Sequence, residues 1–161
     1  DGALKDEFKA GRGGMLRDSN VCMFFAFTES YRRVTSLQAE ARALCTGLEV
    51  CGLLGYAPTI VEGDSKILIE AILGYGSVPA VVLLIIRRIR QASIVGPSYQ
   101  HIYYEGNAVA DALVSFGCSS NRFCLFLFFQ SLLRALRGLY NVDRPGTGSF
   151  RFFRRLLMAS R

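Results

Sequence analysis

At Ser36 the spacing of the apolar residues changes, and few folds accommodate the change. Before it the chain reads as short extended pieces. Asp1-Gly2-Ala3 reads as the end of a strand whose beginning is missing. Gly11-Arg12-Gly13-Gly14 reads as a flexible turn, residues 13–17 begin the next strand, and Asp18-Ser19-Asn20 has turn chemistry ahead of the apolar run 21–27. From Ser36 the period is helical: Leu37, Ala41, Leu44, Leu48, Val50 and Cys51 form one stripe, and Ala39, Ala41 and Ala43 add helix propensity. Ser36, or Thr35 before it, can cap this helix, and Gly55 stops it close to Pro58.

The rest alternates. Residues 59–64 read as a short strand, and Ser65 can cap a helix through about Leu73. Residues 74–79 form a loop, and Pro79 suits the first turn of a third helix to about Gln91. Residues 99–104 read as a strand and 107–116 as a helix that Asn107 can cap. The order β-β-β-α-β-α-α-β-α predicts an α/β fold with a mixed five-stranded sheet, antiparallel hairpins first and parallel strands after, flanked by helices.

Charge divides the chain unevenly. Residues 1–117 hold 11 Lys and Arg against 12 Asp and Glu, whereas residues 118–161 hold eight Arg against Asp143 alone. The overall +6 thus belongs to a basic Arg- and Phe-rich tail (118–161), and the domain (1–117) is nearly neutral. Arginines interleaved with Phe suit nucleic-acid contact through phosphate binding and base stacking; an end packed on the domain, or a segment lying on a membrane surface, are the alternatives. No apolar run approaches the roughly 20 residues that span a bilayer. Five cysteines without a CxxC pair, beside a single His, read as reduced structural thiols rather than a zinc site. That suggests an intracellular setting, nucleus or cytoplasm, with an organelle left open.

Four carboxylates stand out by position. Asp1 and Asp64 end strands, where ligands of open α/β sheets collect. Glu40 and Asp111 lie in the first turns of helices, where a solvated face or a favourable helix dipole would explain either one alone.

Taken in order, Asp1-Gly2-Ala3, Gly13-Gly14-Met15-Leu16-Arg17-Asp18, Ala39-Glu40-Ala41-x-Ala43-Leu44, Val61-Glu62-Gly63-Asp64-Ser65 and His101-x-Tyr103-x-Glu105-Gly106-Asn107-x-x-Ala110-Asp111-Ala112-Leu113 resemble the motif series of the ribonuclease H-like superfamily. More closely the series is similar to type 1 RNase H domains of the plant branch associated with non-LTR retroelement reverse transcriptases. The resemblance spans about residues 1–117. It implies a Mg²⁺- or Mn²⁺-dependent endonuclease for the RNA strand of an RNA–DNA hybrid, acting as a monomer or beside a reverse transcriptase domain in a longer polyprotein. Asp1, Glu40, Asp64 and Asp111 would hold two metal ions, a role that suits hard oxygen donors. Backbone amides near Gly13 and Gly14, the Ser65 hydroxyl and Asn107 would contact nucleic acid, although a turn explains the glycines and a helix cap explains Asn107 equally well. His101 precedes the last Asp, where members of the superfamily use a His in product release, yet it falls in a strand-like run, so a structural role stays open.

The sequence also departs from that pattern. Val21 stands where the plant branch usually has Gly, Tyr104 where it has a basic residue, and most of the first strand ahead of Asp1 is missing. A second reading is therefore a retroelement-derived module that binds nucleic acid without cleaving it.

Overall fold

A computed structural model describes residues 9–18, 22–32, 34–92, 96–102, 122–127, 131 and 150–157. The first strand expected at Asp1, the helix expected over 107–116, and Asn107 and Asp111 within it lie outside the described residues.

The antiparallel start is a hairpin of β1 (Lys9–Arg17) and β2 (Met23–Arg32), paired from Lys9↔Arg32 to Arg17↔Met23 with an irregularity at Leu16/Arg17. Asp18 closes it: its Oδ1 accepts from the Cys22 amide at 2.8 Å, and its own amide donates to the Cys22 carbonyl at 3.0 Å. The glycines at 11–14 are not a turn. They lie inside β1, and the physical reason is close approach. A Cβ at Gly13 would sit 2.5 Å from the Phe27 carbonyl oxygen, so only glycine lets the two strands come this near.

Helix α1 (Ser36–Leu53) is capped by Thr35 rather than by Ser36. The Thr35 hydroxyl accepts from the Gln38 amide and the Gln38 side chain accepts from the Thr35 amide, both at 3.2 Å, a reciprocal capping box. At the other end Gly55 takes a left-handed φ of 76°, while Tyr56 donates to the Cys51 carbonyl at 2.8 Å and Gly55 to that of Gly52 at 3.2 Å. Most of α1 is buried, and Leu44, Leu48 and Cys51 join Phe25, Phe27 and Val61 from the sheet and Ile86 and Ile89 from α3 (Ala80–Ala92) in one core.

Strand β3 (Ile60–Gly63) leads into α2 (Lys66–Leu73), which ends at Gly74 in the left-handed conformation. The Pro79 carbonyl accepts the first amide bonds of α3. Strand β4 (Ser98–His101) is shorter than expected and pairs parallel with β3. None of the helices among the described residues is long and apolar enough to cross a membrane.

Beyond residue 117 the sheet continues. Strand β5 (Cys124–Leu127) pairs antiparallel with the outer side of β2. Strand β6 (Phe150–Leu157) lies in the middle, antiparallel to β1 and parallel to β3, in the order β4-β3-β6-β1-β2-β5. Six strands are therefore described instead of five, and a segment read as a basic, aromatic end supplies a central strand. Backbone pairing explains this. Both flanking strands present amides and carbonyls along these edges, burying such groups without partners is costly, and β6 pairs with both.

Two predictions follow from this packing. Phe153 lies opposite Gly13 in the ladder, so Phe153→Pro removes a central amide and should lower unfolding free energy on the order of 3 kcal/mol, read from urea denaturation; an unchanged midpoint would place β6 outside the sheet. Burial pushes the Cys51 thiol from 9.0 up to about 12. The folded chain then holds this proton more tightly than the unfolded chain, so the contribution is whole below pH 9.0 and is lost as pH rises towards 12. Stability should fall on the alkaline side by about 1.4 kcal/mol per pH unit for this group, and Cys51→Ala should flatten the fall. An identical pH slope in the variant would contradict the assignment.

Candidate functional site

Two of the four expected carboxylates are described, Asp64 directly after β3 and Glu40 on α1. Asp64 directly follows β3, half-buried, with Oδ1 shielded from solvent. Through β6, Gly63 pairs with Phe152 and Phe152 with Gly14, so Asp64 lies level with Gly13. Two strand spacings separate those positions, roughly 10 Å. Arg12 is one residue further along β1, and it meets Glu40.

Glu40 is one turn into α1 and only 3% exposed. Its Oε1 accepts from the Ser36 hydroxyl at 3.1 Å and lies 3.7 Å from Nη2 of Arg12, a residue with 0% exposure. The guanidinium is fastened on three further sides: Nη1 donates to the Gly11 carbonyl at 3.0 Å, and Nη2 donates to the Ser36 hydroxyl at 3.0 Å and its carbonyl at 3.4 Å. Ser36 thus accepts from the cation and donates to the anion. This explains why Thr35 caps the helix.

Sequence reasoning missed Arg12. An arginine flanked by glycines reads as a flexible turn, and its burial shows only once it is seen as a strand residue facing Ser36 and Glu40 of α1. The one local signal was Glu40 itself, a charge inside an Ala-rich stripe that needs a partner once buried.

The remaining expected residues fall as follows. Gly13 and Gly14 are buried within β1, with backbones in strand pairing. Ser65 is the half-buried N-cap residue of α2, and its hydroxyl makes no capping bond. His101 ends β4 opposite Gly63, and the next amide, of Ile102, donates to the Gly63 carbonyl at 2.9 Å. His101 is therefore a half-buried strand residue near Asp64.

The donor set agrees with a hard divalent cation: both described acids offer carboxylate oxygens. Among the described residues no group of three or more His, Cys, Asp or Glu gathers as a metal site. Asp1 and Asp111 lie outside those residues.

A cavity of about 430 Å³ lies elsewhere, between β2, α1 and α3. Its α1 residues Arg42, Cys45, Thr46 and Glu49 recur every three or four positions, about half a turn round the helix from Glu40. Its polar groups already engage one another. Tyr31 donates to Glu29 at 2.6 Å, with burial and that carboxylate raising its pKa, and Arg88 pairs with Glu49 at 2.6 Å.

The Arg12–Glu40 contact carries a stability prediction. Glu40→Ala leaves a fully buried guanidinium without its carboxylate and should cost about 3–5 kcal/mol in urea denaturation, the scale for breaking a buried pair. Glu40→Gln keeps an acceptor for Ser36 and should cost less. Equal, small losses would mean Arg12 is stabilised without Glu40.

Comparison with known proteins agrees with this architecture. The RNase H1 of the halophilic archaeon Halobacterium salinarum is similar in structure, with a TM-score of 0.65 at 21% identity over 74% of this chain and 92% of that one. The N-terminal RNase H domain of Rv2228c from Mycobacterium tuberculosis, solved as a fusion with maltose-binding protein, has a TM-score of 0.50 at 18% identity over 70% and 93% of the two chains. The search of curated proteins gave no match. The family described as reverse transcriptase-like matches residues 1–117. With its hairpin, parallel strands and flanking helices in the RNase H order, the chain belongs to the reverse transcriptase-like family and has the ribonuclease H-like fold.

Proposed function

We propose that this chain is a nuclease for the RNA strand of RNA–DNA hybrids, with Glu40 and Asp64 as two of the residues that hold divalent metal. The observation that supports this most is positional: of two residues 24 apart in sequence, Asp64 after β3 lies level with Gly13 and Glu40 on α1 meets the neighbouring Arg12. Fold alone hosts many functions, so the reading rests on these acids. Asp1 and Asp111 would complete the set, as the motif series implies.

Mg²⁺ or Mn²⁺, when bound, supplies an activated water and stabilises the leaving oxygen of phosphodiester hydrolysis. The chain's own residues do the placing. Asp64 sits where strand meets helix, fixed by the β3 ladder on one side and the first turn of α2 on the other. Glu40 is held by Ser36 against rotation. The Ser65 hydroxyl, not used as a cap, is available to a phosphate or a 2′-hydroxyl, and hybrid preference comes from reading 2′-hydroxyls in a wide minor groove. His101, next to Gly63, can approach the same phosphate.

A second reading has its own support. Arg12 already brings a positive charge to Glu40, which suits a module that keeps the fold and binds nucleic acid without cleaving it.

A labelled RNA–DNA hybrid with blocked ends separates the two. The nuclease reading predicts internal cleavage in Mg²⁺, reduced about 100-fold or more by Asp64→Asn. Binding of the hybrid without cleavage by the unaltered chain would favour the module.

A further inference from the structure

Arg12 has no part in the nuclease reading, yet it is the most completely buried charge beside the proposed site. A guanidinium with 0% exposure in the middle of a sheet survives only if its charge is compensated. The compensation here comes from Glu40, 3.7 Å away, with Ser36 between them as acceptor from one and donor to the other. Glu40 is also a carboxylate that a divalent ion would have to recruit.

We propose that Arg12 is a built-in counter-cation that occupies Glu40 in the metal-free chain and weakens divalent-cation binding there. The proposal rests on the reading of Glu40 as a metal-holding residue. Physically, a second cation arriving at Oε1 meets an existing positive charge in a region shielded from water, where repulsion is screened little. Three hydrogen bonds to Gly11 and Ser36 keep the guanidinium from swinging away. The same fastening keeps Glu40 in one orientation. Arg12 is thus a positioning residue that trades metal affinity for a charge-balanced interior, and its removal should strengthen metal binding where loss of an ordinary supporting contact weakens it.

The test is Mn²⁺ titration of the full chain, following free ion by electron paramagnetic resonance. Arg12→Met removes the charge and keeps the apolar stem; it should bind Mn²⁺ about tenfold more tightly than the unaltered chain. Arg12→Lys keeps the charge and should stay near the unaltered affinity. Adding Glu40→Gln to Arg12→Met should abolish the gain, locating it at this carboxylate. If Arg12→Met fails to fold, Arg12→Gln supplies a neutral side chain that can still donate to Ser36, with the same expected gain. Equal or weaker binding in the neutral variants, with binding still lost on Glu40→Gln, would overturn the counter-cation role and leave the metal reading standing. Mn²⁺ binding insensitive to Glu40→Gln in every background would end the metal reading of Glu40 and this proposal with it.

Discussion

Among the described strands, the two halves of the sheet meet only through β6. The hairpin of β1 and β2, extended by β5, has no direct ladder to β3 and β4, and every bond between the halves runs through the strand Phe150–Leu157. That strand is antiparallel to one neighbour and parallel to the other, so its register sets the height of β3 against β1. The height decides the chemistry. It puts Asp64 level with Gly13, one residue from the Arg12 that meets Glu40. A one-residue slip would move Asp64 along the sheet by one position relative to β1.

Helix α1 carries the other half of the arrangement. It is buried nearly all round, so its polar side chains must find partners inside the protein. Glu40 finds Ser36 and Arg12 on the side facing β1. On the opposite side Glu49 takes Arg88 and Cys45, and Thr46 donates to Glu29. One helix thus separates the charged Arg12–Glu40 pair from a polar cavity whose groups satisfy one another. The separation is why a cavity of about 430 Å³ does not coincide with the acids of the motif series.

Much of this was legible from local chemistry. The change to a helical period at Ser36, the stops at Gly55 and Gly74, the turn at Asp18 and the start after Pro79 all rest on interactions within four or five residues, which sequence alone displays. What was not legible depends on partners distant along the chain. Gly11–Gly14 looked like a turn because glycine weakens a strand; the cause of its presence is the Phe27 carbonyl on another strand. Phe150–Leu157 reads as part of a basic, aromatic end because Arg151, Arg154 and Arg155 interrupt its apolar pattern, and nothing within the segment announces two waiting strand edges. Arg12 was obscured for both reasons at once. Of the site, Glu40 and Asp64 were readable as motif acids, while the Arg12 cation beside Glu40 was not.

The claim that matters most is that Glu40 and Asp64, remote in sequence, contribute to one cation-binding region. Mn²⁺ added to the isotope-labelled full chain broadens the amide signals nearest to it, so a heteronuclear correlation spectrum reports where it binds. The account predicts that signals of residues 36–40 and 63–65 broaden together at the same Mn²⁺ concentration, while those of the exposed acid Glu49 and the surface acid Glu70 stay sharp. Broadening centred on Glu49 or Glu70, or on only one of the two segments, would contradict it.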